Sequence, residues 1–225
     1  MKAGAQLLFL AGAALAAPAP YSPAGGPPAL TAVTHPESRI FLNGTTNIGA
    51  WRCQSTKLGV NFRAELEASE LAGALARLDA RAGAPPLPRF SEWAHATPPT
   101  LRLSLPVAGL DCGNAAMEHD LRKVMKAKQF PNISFDLIEI DSIKVDQPGL
   151  YKLSIIGALR LAGAEQVVQI EMLVKREGDR FRFTAELPMK MTRFGLQPPT
   201  ALFGMIKARD ELLIRFDVSL SPTAA

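Results

Sequence analysis

The sequence predicts an all-β protein with one short helix, folded as an antiparallel β-barrel of about eight strands. Three observations lead to this prediction: long runs alternate between apolar and polar residues, turn-forming residues separate these runs, and one stretch has a helical period instead. A chain of 225 residues is long enough for one such domain with a sizeable core, and a single all-β domain can use that whole length. A second folded domain is not expected.

The alternating runs each have one apolar face, which is typical of strands that bury one side. In the run 180–191 the apolar face carries Phe181, Phe183, Ala185, Leu187, Met189 and Met191. Three other runs have the apolar faces Leu58, Val60, Phe62, Ala64 and Leu66; Val168, Ile170, Met172 and Val174; and Leu212, Ile214, Phe216, Val218 and Leu220. Each run is therefore predicted to be a strand with one buried side.

Short turn signals separate neighbouring runs at residues 147–149, 162–164 and 177–179. Each contains glycine, which short hairpin connections favour. The strands are therefore predicted to follow one another in an antiparallel meander. About eight such strands bury their apolar side most economically by closing into a barrel, whose interior is either filled by its own side chains or holds one small ligand.

The stretch 114–129 is the predicted helix. Its apolar residues recur at intervals of three and four, as on one helical face: Met117, Leu121, Val124 and Met125. Asn114 is a suitable N-cap, and Pro131 is expected to end the helix.

Residues 67–100 interrupt the strand pattern and are interpreted as an inserted excursion. Leu71, Leu75 and Leu78 have helical spacing, whereas five prolines between positions 85 and 99 indicate loops. A short helix that packs on the barrel is favoured here over a helix that lies on a membrane surface.

The first 34 residues are predicted to lie outside the barrel. Lys2, the apolar run 7–15 and the Ala-Leu-Ala pattern at 14–16 are typical of a secretory signal peptide that covers residues 1–16. Residues 17–34 contain five prolines and no hydrophobic period, so a flexible leader is expected. The barrel domain is placed at 35–222, and the protein is expected to be periplasmic or secreted.

The formal net charge of +4 is mild, and basic and acidic residues are interspersed. Nucleic-acid binding would require a basic stripe with interleaved aromatic residues, and none is visible, so no nucleic-acid partner is expected. After the N-terminal segment there is no apolar stretch of about 20 residues, the length that spans a bilayer, so no integral membrane span is expected. The sequence leaves a homodimer open.

No catalytic or metal-binding motif is recognisable. His35, His95 and His119 are not spaced to seed a metal site. Glycine-rich phosphate loops and nucleophile elbows are missing as well. We therefore expect no enzymatic activity, no catalytic residues, no metal and no cofactor.

Two separated blocks of sequence carry a family resemblance. The first block spans 109–135 and contains GLDCGN and FPNISF; the second spans 191–211 and contains MT, FGL, PP and IK before DE. In this order, the blocks resemble the YceI-like family of small, lipocalin-like, polyisoprenoid-binding proteins. The resemblance covers about residues 36–222, and it implies a lipocalin-like barrel with a bound isoprenoid lipid as its partner.

The resemblance also implies a disulfide bond between Cys53 and Cys112. Family members with a cysteine after a tryptophan near the first strand often have a second one in the Leu-Asp-Cys-Gly block, and both are present here, after Trp51 and at 110–113. An exported protein meets an oxidising compartment; two buried free thiols are the alternative. The chain departs from the family at Arg193, where aspartate is usual, and before Trp51, where histidine is often found.

The expected function is non-covalent binding, sequestration or transport of an isoprenoid quinone or polyprenyl phosphate in the barrel interior. The ligand-lining residues are assigned from the inward side of the strands: Phe135, Ile170, Met172, Val174, Phe183, Leu187, Met189, Ile214 and Phe216. A filled barrel that acts as a structural or partner-binding module is one alternative. An enzyme or redox protein that acts on a lipid or quinone is the other.

Overall fold

The computed structural model describes residues 29–90, 98–201, 203 and 205–225. The predicted signal peptide and residues 17–28 of the predicted leader lie outside this part of the chain. The described strands are β1 Leu30–Thr34, β2 Arg39–Thr46, β3 Ala50–Ser55, β4 Gly59–Arg63, β5 Thr100–Pro106, β6 Asn132–Gln147, β7 Leu150–Leu161, β8 Ala164–Glu177, β9 Arg180–Lys190, β10 Thr200–Ala201 and β11 Ile206–Ala224. The described α-helices are α1 Ala68–Asp79 and α2 Ala115–Val124, and 3₁₀ turns occupy Val107–Gly109 and Met191–Phe194.

The strands form one curled antiparallel sheet in the order β3-β2-β11-β9-β8-β7-β6-β5-β4. Strands β5 to β9 follow one another as the predicted meander. Two kinked segments complete the barrel. The first consists of β1 and β2, which both pair with β11, and the second consists of β3 and β4, which follow each other directly in the chain. When each kinked segment is counted once and the short β10 hairpin is set aside, the barrel has eight strand positions. The predicted antiparallel, lipocalin-like barrel is confirmed.

Strand β1 corrects the predicted extent of the leader. The sequence predicts flexible chain up to residue 34, but Leu30–Thr34 pairs with residues 220–224 of β11. Leu30 and Ala64 also exchange backbone hydrogen bonds of 2.8 and 2.9 Å, which join β1 to β4. Because β11 and β4 lie in different parts of the curled sheet, β1 links them and helps to close the barrel. The folded domain therefore begins near residue 30.

Helix α2 forms where the sequence predicts a helix, with the expected cap. The side-chain oxygen of Asn114 accepts hydrogen bonds from the backbone nitrogens of Ala116 and Met117, at 2.9 and 3.1 Å. The helix ends at Val124, earlier than predicted and well before Pro131. Lys126 already has a left-handed backbone with φ of 52°, which is incompatible with a continuing α-helix. The prediction that Pro131 ends this helix is therefore wrong.

Helix α1 lies within the inserted segment and is the second helix in the described part of the chain, beside α2. It begins with a capping box, in which the backbone nitrogen of Glu67 donates to the Glu70 carboxylate at 2.7 Å. Leu75 and Leu78 pack against a small buried cluster of barrel residues: Val145, Tyr151 and Val174. The helix therefore packs on the barrel, as the sequence favoured.

Asp79, the last residue of α1, anchors the helix to the β6–β7 turn and to β8. Its carboxylate accepts hydrogen bonds from the Gly149 backbone nitrogen at 2.9 Å, the Tyr151 hydroxyl at 2.6 Å and the Arg176 guanidinium at 2.6 Å. Burial raises the pKa of Asp79, but these three donors outweigh burial, and the pKa is lowered from its ordinary value of 3.8. Burial and the bond to Asp79 raise the pKa of Tyr151 to about 12.

The anchoring of α1 is expected to depend on pH. Because the folded-state pKa of Asp79 is lowered, its stabilisation is present above its ordinary value of 3.8 and is lost as the pH falls through the folded pKa. The raised pKa of Tyr151 has the opposite sense, so its contribution is present below pH 10 and is lost as the pH rises through about 12. Asp79→Asn should therefore lower the free energy of unfolding by about 1–3 kcal/mol at pH 7.

Urea unfolding of the wild type and of Asp79→Asn at pH 7 and at pH 2 measures this effect. The difference between the two proteins should shrink at pH 2, because this pH lies below the ordinary pKa of 3.8, where the stabilisation by the carboxylate begins to be lost. A difference of the same size at both pH values would contradict the anchoring role of the ionised carboxylate.

Candidate ligand-binding site

The inner faces of the strands enclose an apolar cavity of about 50 Å³. Fifteen residues line it, of which 13 are apolar, two are serines and none is charged: Ile40, Leu42, Leu58, Leu103, Ser104, Leu105, Leu110, Ile133, Ser134, Phe135, Leu159, Ile170, Leu187, Ile214 and Phe216. The cavity lies within the larger of two buried clusters, which extends toward α2. A cavity with this lining can hold apolar chains but offers no charged group for acid–base chemistry.

Phe135 is the most tightly constrained of these side chains. It is 5% exposed and lies opposite Leu103 on β5 and Leu159 on β7. Its ring packs directly over Gly157, where a Cβ atom would lie only 2.2 Å from the ring. Gly157 therefore provides the space that the ring occupies, and the ring fixes one wall of the cavity.

The structure separates the nine predicted lining residues into two groups. Five of them border the cavity: Phe135, Ile170, Leu187, Ile214 and Phe216. The other four face inward but do not border it: Met189 belongs to the main cluster, Val174 belongs to the smaller cluster below α1, Phe183 packs against that smaller cluster, and Met172 packs against both. The contact of any of these residues with a ligand stays a prediction.

Sequence reasoning did not assign eight of the apolar lining residues as ligand-contacting positions, and four of these eight lie on β2 and β5. One signal was available, because Leu101, Leu103 and Leu105 alternate with polar residues in Thr100–Pro106. In β2, by contrast, Ile40 and Leu42 form an alternating pair that is too short to assign a face. These residues are recognised as inward-facing only once the pairing of β2 with β11 is known.

The polar groups that the barrel buries are satisfied locally. Ser38 and Ser219 bond to each other through side chain and backbone, and the Ser154 hydroxyl lies 2.8 Å from the Gln169 amide nitrogen. In the described part of the chain, no buried side-chain nitrogen or oxygen lacks a partner. Among the described residues, therefore, no fully buried side-chain polar atom is left without a partner to bind a ligand group.

A disulfide bond joins Cys53 of β3 to Cys112, 59 residues later and just before α2. This confirms the predicted pairing. Cys53 is fully buried, and the neighbouring residues Gln54 and Asp111 exchange two backbone hydrogen bonds of 2.8 Å. The covalent and backbone bonds together fix the segment that leads into α2 against the barrel wall.

The first residues of the second family block, 191–196, fold into a turn that closes the α2 end of the barrel. Met191, Phe194 and Leu196 are each at most 4% exposed and belong to the main cluster. The Asp210 carboxylate holds the turn, accepting from the backbone nitrogen and the hydroxyl of Thr192 at 2.9 and 2.7 Å. The motif residues therefore stabilise one end of the barrel.

Charged side chains lie on the outer face of the sheet, many of them in cross-strand ion pairs. Arg102 and Arg160 both pair with Asp136, and Arg182 pairs with Asp217 through two hydrogen bonds of 2.7 Å. The hydrogen bond from Arg102 holds the pKa of Asp136 below its ordinary value. This distribution places charge outside the barrel and apolar surface inside it.

The described residues contain neither a metal-binding group nor a membrane-spanning helix. Among them, no group of three or more histidine, cysteine, aspartate or glutamate side chains converges in a way that could hold a metal ion. No described helix combines the length and the apolar character needed to cross a membrane.

Comparison with known proteins agrees with the fold. The family model of the YceI-like domain matches residues 51–220. BcnA from Burkholderia cenocepacia has a crystal structure with a TM-score of 0.55 and 16% identity, covering 81% of this chain and 96% of its own. A polyisoprenoid-binding domain from Saccharophagus degradans, implicated in plant cell wall breakdown, has a TM-score of 0.55 and 7% identity, covering 86% of this chain and 98% of its own.

At these identities the structural likeness shows the fold alone. No curated protein matches the chain. The family model, however, spans well over half of the sequence and includes both motif blocks and both cysteines. The chain therefore belongs to the YceI-like family.

Proposed function

We propose that the barrel binds the apolar chain of a polyisoprenoid lipid, such as an isoprenoid quinone or a polyprenyl phosphate, without catalysing a reaction on it. The observation that carries this proposal is the cavity at the centre of the main cluster, which is lined by apolar side chains and by no charged group. Each methylene removed from water contributes about 0.8 kcal/mol, so a few isoprene units offer substantial binding energy. The head group would remain near one end of the barrel.

The size of the cavity requires the barrel to adapt. Ligand sites usually measure about 300–1,000 Å³, whereas this cavity measures about 50 Å³. The side chains best able to move are Met172, Phe183 and Phe216, which are only partly buried. Met172 packs against both clusters and has a flexible side chain, so its movement would extend the cavity toward α1.

The small cavity also favours a second candidate function. A barrel that is nearly filled by its own side chains could serve as a structural or partner-binding module. The two candidates differ in whether the purified protein carries lipid. An enzymatic function has no support from the cavity, because no titratable side chain lines it.

We further propose that the protein acts outside the cytoplasm, in the periplasm or as a secreted protein. The disulfide bond supports this location, since such bonds persist mainly in oxidising compartments. In that setting the barrel would sequester a lipid or carry it through water.

Met172→Arg is expected to abolish lipid binding. The substitution would place a cation on the inner face at the junction of the two clusters, where an apolar chain would have to pass. Organic extraction and mass spectrometry of protein purified from its native compartment would measure the bound lipid. Circular dichroism would show that the barrel remains folded.

The matched control for this experiment is Leu173→Arg. It makes a similar change at the next residue, whose side chain is 37% exposed on the opposite face of β8. The control should retain the wild-type amount of lipid. Equal lipid in both variants would contradict binding in the interior, and a wild type without lipid or affinity for polyprenyl ligands would favour the filled barrel.

A further inference from the structure

Two turns at the α2 end of the barrel present large apolar side chains to solvent. Ile48, in the β2–β3 turn, is 71% exposed; Phe203 and Met205, in the β10–β11 turn, are fully exposed and 65% exposed. We call these three residues the apolar tip. None of them contributes to either buried cluster, so the fold does not explain their apolar character.

Asn47 holds the two turns of the apolar tip together. Its amide nitrogen donates to the Met205 carbonyl at 2.8 Å, and its amide oxygen accepts from the Lys207 backbone nitrogen at 2.8 Å. The backbone nitrogen of Asn47 also donates to the Lys207 carbonyl at 3.0 Å. The three bonds make the tip one surface built from two distant parts of the sequence.

Basic residues gather at the same end of the barrel. The described residues of the connections at the α2 end, 47–49, 107–131, 162–163, 191–201, 203 and 205, contain five basic and three acidic residues. The described residues at the opposite end, 64–90, 98–99, 148–149 and 178–179, contain three basic and five acidic residues. Lys207 is exposed and lies directly beside the tip, so the tip belongs to the more positive end of the molecule.

Several of these cations are available to a partner. Within the part of the chain that the structure describes, five exposed basic side chains at this end form no ion pair: Lys123, Lys126, Lys128, Arg193 and Lys207. Peripheral proteins bind an anionic bilayer by combining exposed apolar side chains with nearby free cations. The combination is needed because apolar insertion alone and electrostatic attraction alone are each weak.

We propose that the apolar tip and its basic surroundings dock on the surface of an anionic lipid bilayer. Ile48, Phe203 and Met205 enter the interfacial region, and the free cations contact lipid phosphates. The described outer face of the sheet carries both positive and negative side chains. It does not group several exposed apolar side chains on adjoining turns beside free cations. The docking concerns the bilayer surface and does not depend on what the barrel interior holds.

Co-sedimentation with vesicles that contain no polyprenyl lipid tests this proposal. The wild type should bind anionic vesicles made of phosphatidylcholine and phosphatidylglycerol. Its partition onto vesicles of phosphatidylcholine alone should be at least tenfold lower. The triple variant Ile48→Ser, Phe203→Asn, Met205→Ser should lose at least tenfold in partition onto the anionic vesicles. Asparagine is chosen at position 203 because it tolerates the left-handed backbone there, with φ of 55°.

The matched control removes three exposed apolar side chains from elsewhere on the barrel. The variant Val33→Ser, Ile138→Ser, Val167→Ser changes residues that are 53%, 56% and 60% exposed, and it should bind anionic vesicles like the wild type. A second variant, Arg193→Gln with Lys207→Gln, should bind anionic vesicles more weakly than the wild type does.

Three results would overturn the proposal. The first is wild-type protein that binds no vesicles, which is the result expected if the tip docks on a protein. The second is a tip variant that binds vesicles like the wild type. The third is a control triple variant whose binding is weakened as much as that of the tip variant. Because the vesicles contain no polyprenyl lipid, each result leaves the proposed function of the interior independently testable by lipid extraction.

Discussion

Replacing both cysteines, as Cys53→Ala with Cys112→Ala, is expected to lower the free energy of unfolding by about 4 kcal/mol. The disulfide bond closes a loop of 59 residues, and in the chain-entropy model a loop of this length restricts the unfolded chain by about that amount. Cys53 is also fully buried, so its replacement removes packing as well as the covalent bond. Urea unfolding of the variant and of the wild type measures the difference.

Reduction of the wild-type protein provides the control for the disulfide variant, because it breaks the bond without removing side-chain atoms. The reduced wild type should lose a similar but slightly smaller amount of stability. Peptide mapping without reduction should find the Cys53–Cys112 linked pair in protein purified from its native compartment. Two freely alkylated thiols in that protein would show that the bond does not form.

Phe135→Ala is expected to cost about 3–5 kcal/mol of stability, the usual range for truncating a buried phenylalanine. The ring is held between β5 and β7 and packs over Gly157, and Gly157 has no side chain with which to fill the space that is left. The truncation would also enlarge the existing cavity. Thermal and urea unfolding measure the loss of stability.

Phe203→Ala is the matched control, since it makes the same chemical change at a fully exposed ring. It should change the free energy of unfolding by less than about 0.5 kcal/mol. If the interior binds prenyl chains, a polyprenyl ligand should restore more stability to Phe135→Ala than it adds to the wild type. A loss of under 1 kcal/mol in Phe135→Ala would contradict a constrained ring at this position.

The strands that the sequence predicts best are those with one buried and one solvated side. In β9, the apolar residues that alternate from Phe181 to Met189 face inward. Alternation identifies them because the sheet is one layer thick, so one face of each strand lines the barrel interior and the other faces solvent. Strand β6 shows the limit of this reasoning. Its pairing with β7 contains three irregularities, and Ile138, beside the first of them, is 56% exposed. Such irregularities shift the alternation, and sequence alone does not locate them.

Alternation also leaves the position along the barrel axis undetermined. Ile170 and Val174 both point inward from β8, yet Ile170 borders the cavity and Val174 packs beneath α1. The difference arises from α1, which belongs to an insertion whose docking depends on Asp79 and its three partners. The inward side was therefore predictable, whereas the division of the interior into two clusters was not.

The disulfide bond could be predicted only through the family resemblance. Cys53 and Cys112 lie 59 residues apart, and nothing in that spacing indicates that their strands meet. Strand β1 was missed for a related reason. It has five residues, too few for a clear period, and its main partner is the strand farthest from it in sequence.

The pairing of β1 with β11 has a consequence for the order in which the barrel can assemble. Strand β11 pairs with β1, β2 and β9. A nascent chain without residues 206–224 is therefore an open sheet in which each of these three strands lacks β11 as a hydrogen-bonding neighbour. Unpaired strand edges of this kind promote association between chains. Closure therefore awaits β11, and the incomplete chain needs protection from association most during synthesis.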